Sequence, residues 1–335
     1  MFSVWCIDPS ESYAQLDSSN LPILVINTDD VILDDPKVTG SLRIYSNAPS
    51  GYNKTSDEPE FRHDIAIEYR GNTSQKKYPK KGLGFELRSQ ENKPTTARIL
   101  ELPAHSDWVI HSPYGDKTLM RNVLTYHLAD QIMDYAPKTR LCELILNKEY
   151  YGVVVLTERI NIGEGRVKIT PPKDGKDLDG EFIFKFDKGD DEEVAFISSH
   201  FPNPKSKTPA KILFHDPEAG AVSKEQKKDL RRFFAHFEHE INEDDFDEET
   251  EYEDYIEVTS FIDYILISEL TKNIDAYRIS TYFTLQNINN RKKLKAGPVW
   301  DYNLAYGNAN YCEAYLTSGW SLDFNAICPD HDNLV

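Results

Sequence analysis

Cysteine is scarce in this chain: four in 335 residues, at Cys6, Cys142, Cys312 and Cys328. None forms a C-x-x-C pair, which argues against a structural zinc site. The nine histidines show no H-x-x-x-H spacing, so a histidine-held metal is not expected either. No apolar stretch approaches the roughly 20 residues of a membrane-spanning helix. Basic residues are in the minority, 38 against 56 acidic ones, for a formal charge of −18. Such a surface repels nucleic acid, whose binding rests on Lys and Arg neutralising phosphates. The familiar phosphate signatures are missing too. There is no Walker A G-x-x-x-x-G-K-[ST], no kinase G-x-G-x-x-G and no H-R-D. A G-x-S-x-G elbow is also absent, which weighs against an α/β-hydrolase.

What remains is an ordinary globular composition, 39% hydrophobic. The length suffices for one large domain or two lobes, each with its own core. The 19 Tyr and 16 Phe point to a β-rich protein, because aromatics favour strands. Charge is uneven. Residues 238–257 carry twelve acids and no Lys or Arg, either as a solvated loop or helix end, or as a weak cation or basic-partner strip. Lys76, Lys77, Lys80 and Lys81 form a basic knot elsewhere. Cys142, in the apolar run L-C-E-L-I-L, reads as a buried thiol. Cys312 and Cys328 flank a loop and pair only if the protein is exported. Residues 1–6 are too short for a signal peptide and read as the remnant of one.

Periodicity organises the rest. Residues 21–27 read as a buried strand, and 41–46, 64–70 and 83–87 alternate as in an antiparallel sheet with one wet face. Residues 47–60, rich in Pro, Gly, Ser and Asp, are a loop. A helix is predicted over 118–134, capped by Thr118, with Leu119, Val123, Leu124, Leu128 and Ile132 on its inner face. A hairpin follows over 141–147 and 150–157, turning at Asn147-Lys148. Residues 181–187 make a strand. Residues 223–241 make a polar helix with Leu230, Phe233, Phe234 and Phe237 inward. A helix capped by Ser260 spans 260–272. A Pro/Gly/charge linker at 171–179 suggests a lobe boundary.

Four places carry candidate chemistry. The loop R-G-N-T-S-Q-K-K-Y-P-K-K, from Arg70 to Lys81, joins two strands and reads either as an anion nest or as a solvated turn. Arg121 falls in the first turn of a helix, where the macrodipole favours anions, so it gains from a phosphate or carboxylate partner such as Asp116. Glu158 ends the hairpin in T-E-R-I. If buried it needs a cation, and Lys80 or Lys81 is the candidate. Asp275 and Asp301 flank a predicted hairpin whose strands are 277–283 and 294–300, with Asn287, Asn289 and Asn290 at its turn. Hairpin pairing sets facing Cβ atoms roughly 5 Å apart. Two carboxylates at that distance repel by about 3 kcal/mol at an effective dielectric of ~20. A shared proton, divergence into water or a bound divalent cation relieves this.

Together the blocks resemble the CotH kinase family, named for spore-coat protein H. They are R-G-N-T-S with P-K-K; S-D-W-V-I-H-S-P-Y-G-D-K-T-L-M-R-N; C-E-L-I-L-N-K-E-Y-Y-G-V-V-V-L-T-E; F-I-D-Y-I-L-I-S-E-L-T-K-N-I-D-A-Y-R; and G-P-V-W-D-Y-N-L-A-Y-G-N. They run in the family's order from Leu21 onward. The resemblance implies an α+β, atypical protein-kinase-like two-lobed fold with antiparallel sheets and a few packed helices. This would form one domain over 21–335 after an N-terminal extension, 1–20. It implies ATP and Mg²⁺ or Mn²⁺ as cofactors, protein Ser or Thr as substrate, and an extracytoplasmic or secreted location. Carried over by position, Asp275 matches the catalytic aspartate and Asp301 the metal-binding one. Arg70, Lys80 and Lys81 match the basic block facing phosphate; Arg121 and Glu158 are placed among the nucleotide contacts by their own positions, not by the match. The chain departs from the family at Asn303, where W-D-Y-D is usual, and at Gly82-Leu83 after P-K-K. The family also continues beyond this C-terminus, so truncation is expected there. The alternatives are a pseudokinase, or an exported surface or assembly module that binds a partner without turnover.

Overall fold

The computed structural model describes residues 16–189, 191–200, 209–242 and 252–328. Most of the acidic strip, at 243–251, and the segment around Cys6 lie outside the described residues. The chain divides into two compact units. One comprises Met1–Leu119 and Thr139–Arg159, the other Met120–Lys138 and Ile160–Val335. The 171–179 linker lies inside the second unit.

The first unit holds β1 (Ile23–Asn27), β2 (Val38–Tyr45), β3 (Phe61–Arg70), a short α1 (Thr73–Lys77), β4 (Gly82–Arg88), β5 (Ala97–Ile99), β6 (Leu102–His105), β7 (Asp107–His111), β8 (Thr139–Leu146) and β9 (Glu149–Glu158). Seven of them close a barrel in the order β1-β2-β3-β4-β7-β9-β8, with β5 and β6 as a separate ribbon. All barrel pairs are antiparallel except the closing one. There β1 runs parallel to β8, with Ile23 opposite Glu143 and Ile26 opposite Leu146. The antiparallel sheet expected from alternation is thus present, but closed into a barrel, which the alternation did not announce. Closure removes both exposed edges. Alternate residues such as Leu42 and Ile44, Ile65 and Ile67, and Phe85 and Leu87 are buried in one core with Trp108. Asn147 and Lys148 turn β8 into β9 with φ of 49° and 69°, the left-handed pair a two-residue hairpin needs.

The second unit holds α2 (Arg121–Ala129), β10 (Phe182–Phe186), β11 (Val194–Ile197), β12 (Lys211–Asp216), α3 (Lys224–Asn242), α4 (Tyr252–Tyr255), α5 (Val258–Thr271), β13 (Thr281–Ile288), β14 (Arg291–Ala296) and α6 (Phe324–Ile327). Its antiparallel sheet has the order β11-β12-β10-β13-β14. The core of this sheet is aromatic. Phe184 meets Phe234 of α3 edge-on at 5.2 Å, with Phe182, Phe214 and Phe283 around them. A capping box starts α3: Gln226 N–H donates to Ser223 Oγ at 3.2 Å, and Ser223 N–H donates to Gln226 Oε1 at 2.9 Å.

Two helices differ from expectation. α2 is shorter than 118–134, and its buried residues are Asn122, Thr125, Tyr126 and Ala129. Leu124 and Ile132, expected inward, are exposed. The residue at the N-cap position is Met120, not Thr118. The Thr118 N–H donates to Asp116 Oδ1 at 3.0 Å in an Asx turn, and its hydroxyl donates to the same oxygen at 2.7 Å. α5 begins earlier because Glu257, not Ser260, is its cap: Glu257 Oε2 accepts from Ser260 N–H at 2.8 Å. Lys272, left-handed at φ 46°, ends α5 and turns the chain toward Asp275.

Candidate functional site

In the second unit, the hairpin β13–β14 turns at Asn289 and Asn290, both left-handed, and pairs from Ile288 opposite Arg291 to Phe283 opposite Ala296. This ladder stops short of both aspartates. Tyr277 and Ser280, expected in the strand, have φ of 69° and 51° and belong to turns. Gly297, at φ 96°, ends the return strand before Trp300. Cross-strand register therefore does not set the spacing of Asp275 and Asp301. Each is placed by its own turn.

Asp301 is fixed by its neighbours. Val299 and Tyr302 are fully buried, and Tyr302 Oη shares a hydrogen bond with Ser268 Oγ of α5 at 3.0 Å. Trp300 stacks on Tyr126 of α2, their ring centroids 6.0 Å apart. Asp301 itself is left-handed at φ 58°, a strained conformation for aspartate. Its N–H donates to Tyr126 Oη at 3.0 Å. Asn303 Nδ2 donates to Asp301 Oδ1. The same helix supplies Arg121, whose Nε donates to the Ala305 carbonyl at 3.0 Å, and Thr125, which donates to Tyr306 Oη at 3.1 Å. α2 thus braces the 299–306 segment.

Asp275 follows α5 closely. Its N–H donates to Asn273 Oδ1 at 3.3 Å, and its carbonyl accepts from Ile279 N–H at 3.1 Å. Its carboxylate, about one-fifth exposed, pairs with Arg278 at 3.3 Å. Sequence reasoning passed over Arg278. The signal was its i,i+3 spacing from Asp275, which a turn brings together. Ser280 stands five residues after Asp275, where protein-kinase catalytic loops carry an asparagine for a second metal.

In the first unit, Arg70 ends β3 opposite Gly82. Lys80 donates to the Val153 carbonyl at 2.5 Å. Glycine at 152, with φ 93°, leaves room for it, since a Cβ there would lie 3.2 Å from the ammonium. Burial holds the Lys80 pKa below its usual range, against the pull of Glu143. Lys81 lies over the Tyr69 ring at 4.5 Å, and its backbone N–H donates to Tyr151 Oη at 2.7 Å. Glu158 is fully buried at the end of β9, opposite Trp108. The expected lysine–Glu158 pair does not form. Lys80 meets β9 at Val153, five residues up the strand, about 17 Å away at ~3.3 Å per residue.

Asp275 and Asp301 offer carboxylate oxygens, which hard divalent cations take, while the Asn303 carboxamide turns its nitrogen toward Asp301. Among the described residues, no three His, Cys, Asp or Glu side chains are grouped to hold a metal. One or two carboxylates completed by substrate phosphates is the common Mg²⁺ arrangement. A protein-family model described as CotH kinase protein matches residues 67–328, a span that includes Asp275, Asp301 and every other residue named in this subsection. No curated protein matches the chain.

Proposed function

The chain belongs to the CotH kinase protein family, and from that premise we propose that it is an atypical kinase that transfers the γ-phosphoryl group of ATP to Ser or Thr of a protein. A protein-kinase-like two-lobed architecture is part of this proposal. The observation that carries it is the family match spanning two aspartates, each held by its own braced turn in the second unit. Phosphoryl transfer asks for positioning and charge stabilisation more than covalent chemistry from the protein. Asp275 would accept or orient the proton of the attacking hydroxyl. Asp301, with Asn303 beside it, would hold Mg²⁺ or Mn²⁺, which when bound neutralises charge on phosphate oxygens. The nucleotide contacts of Arg70, Lys80 and Lys81 rest on the resemblance, and those of Arg121 and Glu158 on their positions in the sequence. The Cys312–Cys328 disulfide supports an oxidising, extracytoplasmic compartment.

Calorimetry with ATP and Mn²⁺ tests the division of roles. Asp301→Ala should abolish metal-dependent nucleotide binding, while Asp275→Ala binds normally and loses phosphate transfer. Equal binding by both variants and the wild type would sink the assignment. A second reading, a pseudokinase, is favoured by two observations: Asn303 donates to the Asp301 carboxylate, and a serine, Ser280, stands five residues after Asp275, the spacing at which protein kinases carry a metal-binding asparagine. Radiolabelled transfer to the protein itself or to casein-like substrates separates the two.

A further inference from the structure

Arg278 is enclosed to an unusual degree for a base in a turn. Its side chain is 13% exposed. Nη2 donates to the Ile274 carbonyl at 2.5 Å and to Asp275 Oδ1 at 3.3 Å. The guanidinium carbon lies 3.3 Å from the centroid of the Phe324 ring. Burial pulls its pKa down to about 10, against the pull of Asp275 and Tyr311. Enclosing a guanidinium costs solvation, and the contacts must offset that cost. What the arrangement gains is orientation. A planar group stacked on an aromatic face and bonded to a carbonyl has one place to hold a carboxylate, which a lysine lacks.

The ring above Arg278 is itself anchored. Phe324 belongs to α6, and Cys328 just after it is disulfide-bonded to Cys312, with Cα atoms 5.3 Å apart. Phe324 packs with Ile274, Ala309 and Ala314, and Tyr311 and both cysteines lie against this cluster. Ile274 is the residue before Asp275. The cross-linked segment is also tied to the end of α5. Lys272 donates to the Ser318 carbonyl, and the N–H groups of Ser321 and Leu322 donate to Glu269 at 2.6 and 3.0 Å.

We propose that Arg278 is a positioning residue for Asp275, and that the segment cross-linked by Cys312–Cys328 keeps it in place through Phe324. This rests on the phosphotransferase reading for its kinetic arm only.

Four variants test it: Arg278→Ala, Arg278→Lys, Phe324→Ala and the pair Cys312→Ser with Cys328→Ser. Arg278→Ala should lower kcat by about 10²-fold, the cost of a small misplacement, and leave KM for ATP within about twofold. Arg278→Lys should recover part of that loss. Phe324→Ala and the double serine variant should each lower kcat by about tenfold in the Arg278 background and add nothing to Arg278→Ala, as coupled sites do. Amide hydrogen exchange supplies a readout apart from activity. Residues 273–280 should exchange faster in Arg278→Ala, Phe324→Ala and the serine pair, while β10 and β13 keep their protection. Unchanged exchange over 273–280 in Arg278→Ala, or kcat losses that simply add, would overturn the proposal. If the serine pair fails to fold, Phe324→Ala decides. If wild type transfers no phosphate, the kinase reading fails and exchange alone decides the positioning.

Discussion

His111 shows how one side chain ties burial to solution conditions. It ends β7, opposite Val155 in the barrel wall. Burial, opposed by Asp116 and aided by Lys80, lowers its pKa from the usual 6.5 to about 4. The folded pKa lies below the unfolded one, so between those values the unfolded chain takes up a proton that the folded chain refuses. The contribution is therefore complete above about pH 6.5 and lost progressively as pH falls toward about 4. Carboxylates titrate over the same range, so the comparison with His111→Asn isolates the effect. That variant should flatten the dependence of unfolding free energy on pH between 6.5 and 4 by up to about one proton, read from urea midpoints at several pH values. Parallel slopes for variant and wild type would show that the imidazole does not resist protonation. Cys142 is the opposite case. Burial lifts its thiol pKa to about 12, which leaves little thiolate to react.

Among the elements, the segment closed by Cys312–Cys328 makes a separable contribution. Its cysteines are 16 positions apart, and closing a loop of that size stabilises by about 3 kcal/mol in the chain-entropy model. Replacing both cysteines with serine should cost about that much in denaturant unfolding. Thiol titration of unreduced, denatured wild type should find at most two of the four cysteines free, and four free thiols would remove the bridge. Much at this scale was legible in the sequence. Asn147 and the pair Asn289-Asn290 announced their hairpins because few other residues accept left-handed backbone so cheaply. The polar helix expected over 223–241 forms as α3, although the capping box of Ser223 and Gln226 went unread. What misled was apolar content read without a partner. Tyr277 and Ile279 suited a strand, yet the chain turns there to bring Arg278 onto Asp275. Leu124 and Ile132 suited an inner helix face, yet α2 packs through Tyr126 and Ala129 instead. The pairing of β1 with β8 could not be read at all, because nothing in either strand names a distant partner. Nor did the aspartates' setting follow from the hairpin, since each depends on Tyr126, Asn303 or Arg278 from beyond the ladder.

For the molecule as a whole, acidity sets behaviour in solution. With a formal charge of −18 and an isoelectric point near 4.9, the protein should be well dispersed at neutral pH and least soluble near its isoelectric point. Light scattering across pH 4 to 8 checks this, and a minimum far from 4.9 would mean that the charge balance is not the one the composition gives. The barrel carries a consequence of a different kind, in the order of events during synthesis. β1 leaves the ribosome well before its parallel neighbour β8, which begins only at Thr139. Until then one edge of β1 has no strand to pair with, and closure waits on a long loop whose entropy must be met first. The residues of α2 emerge in that interval, and their own unit begins again only at Ile160. A nascent chain paused before Thr139 therefore carries an unpaired strand and an orphaned helix together, and that is when a chaperone has most to cover.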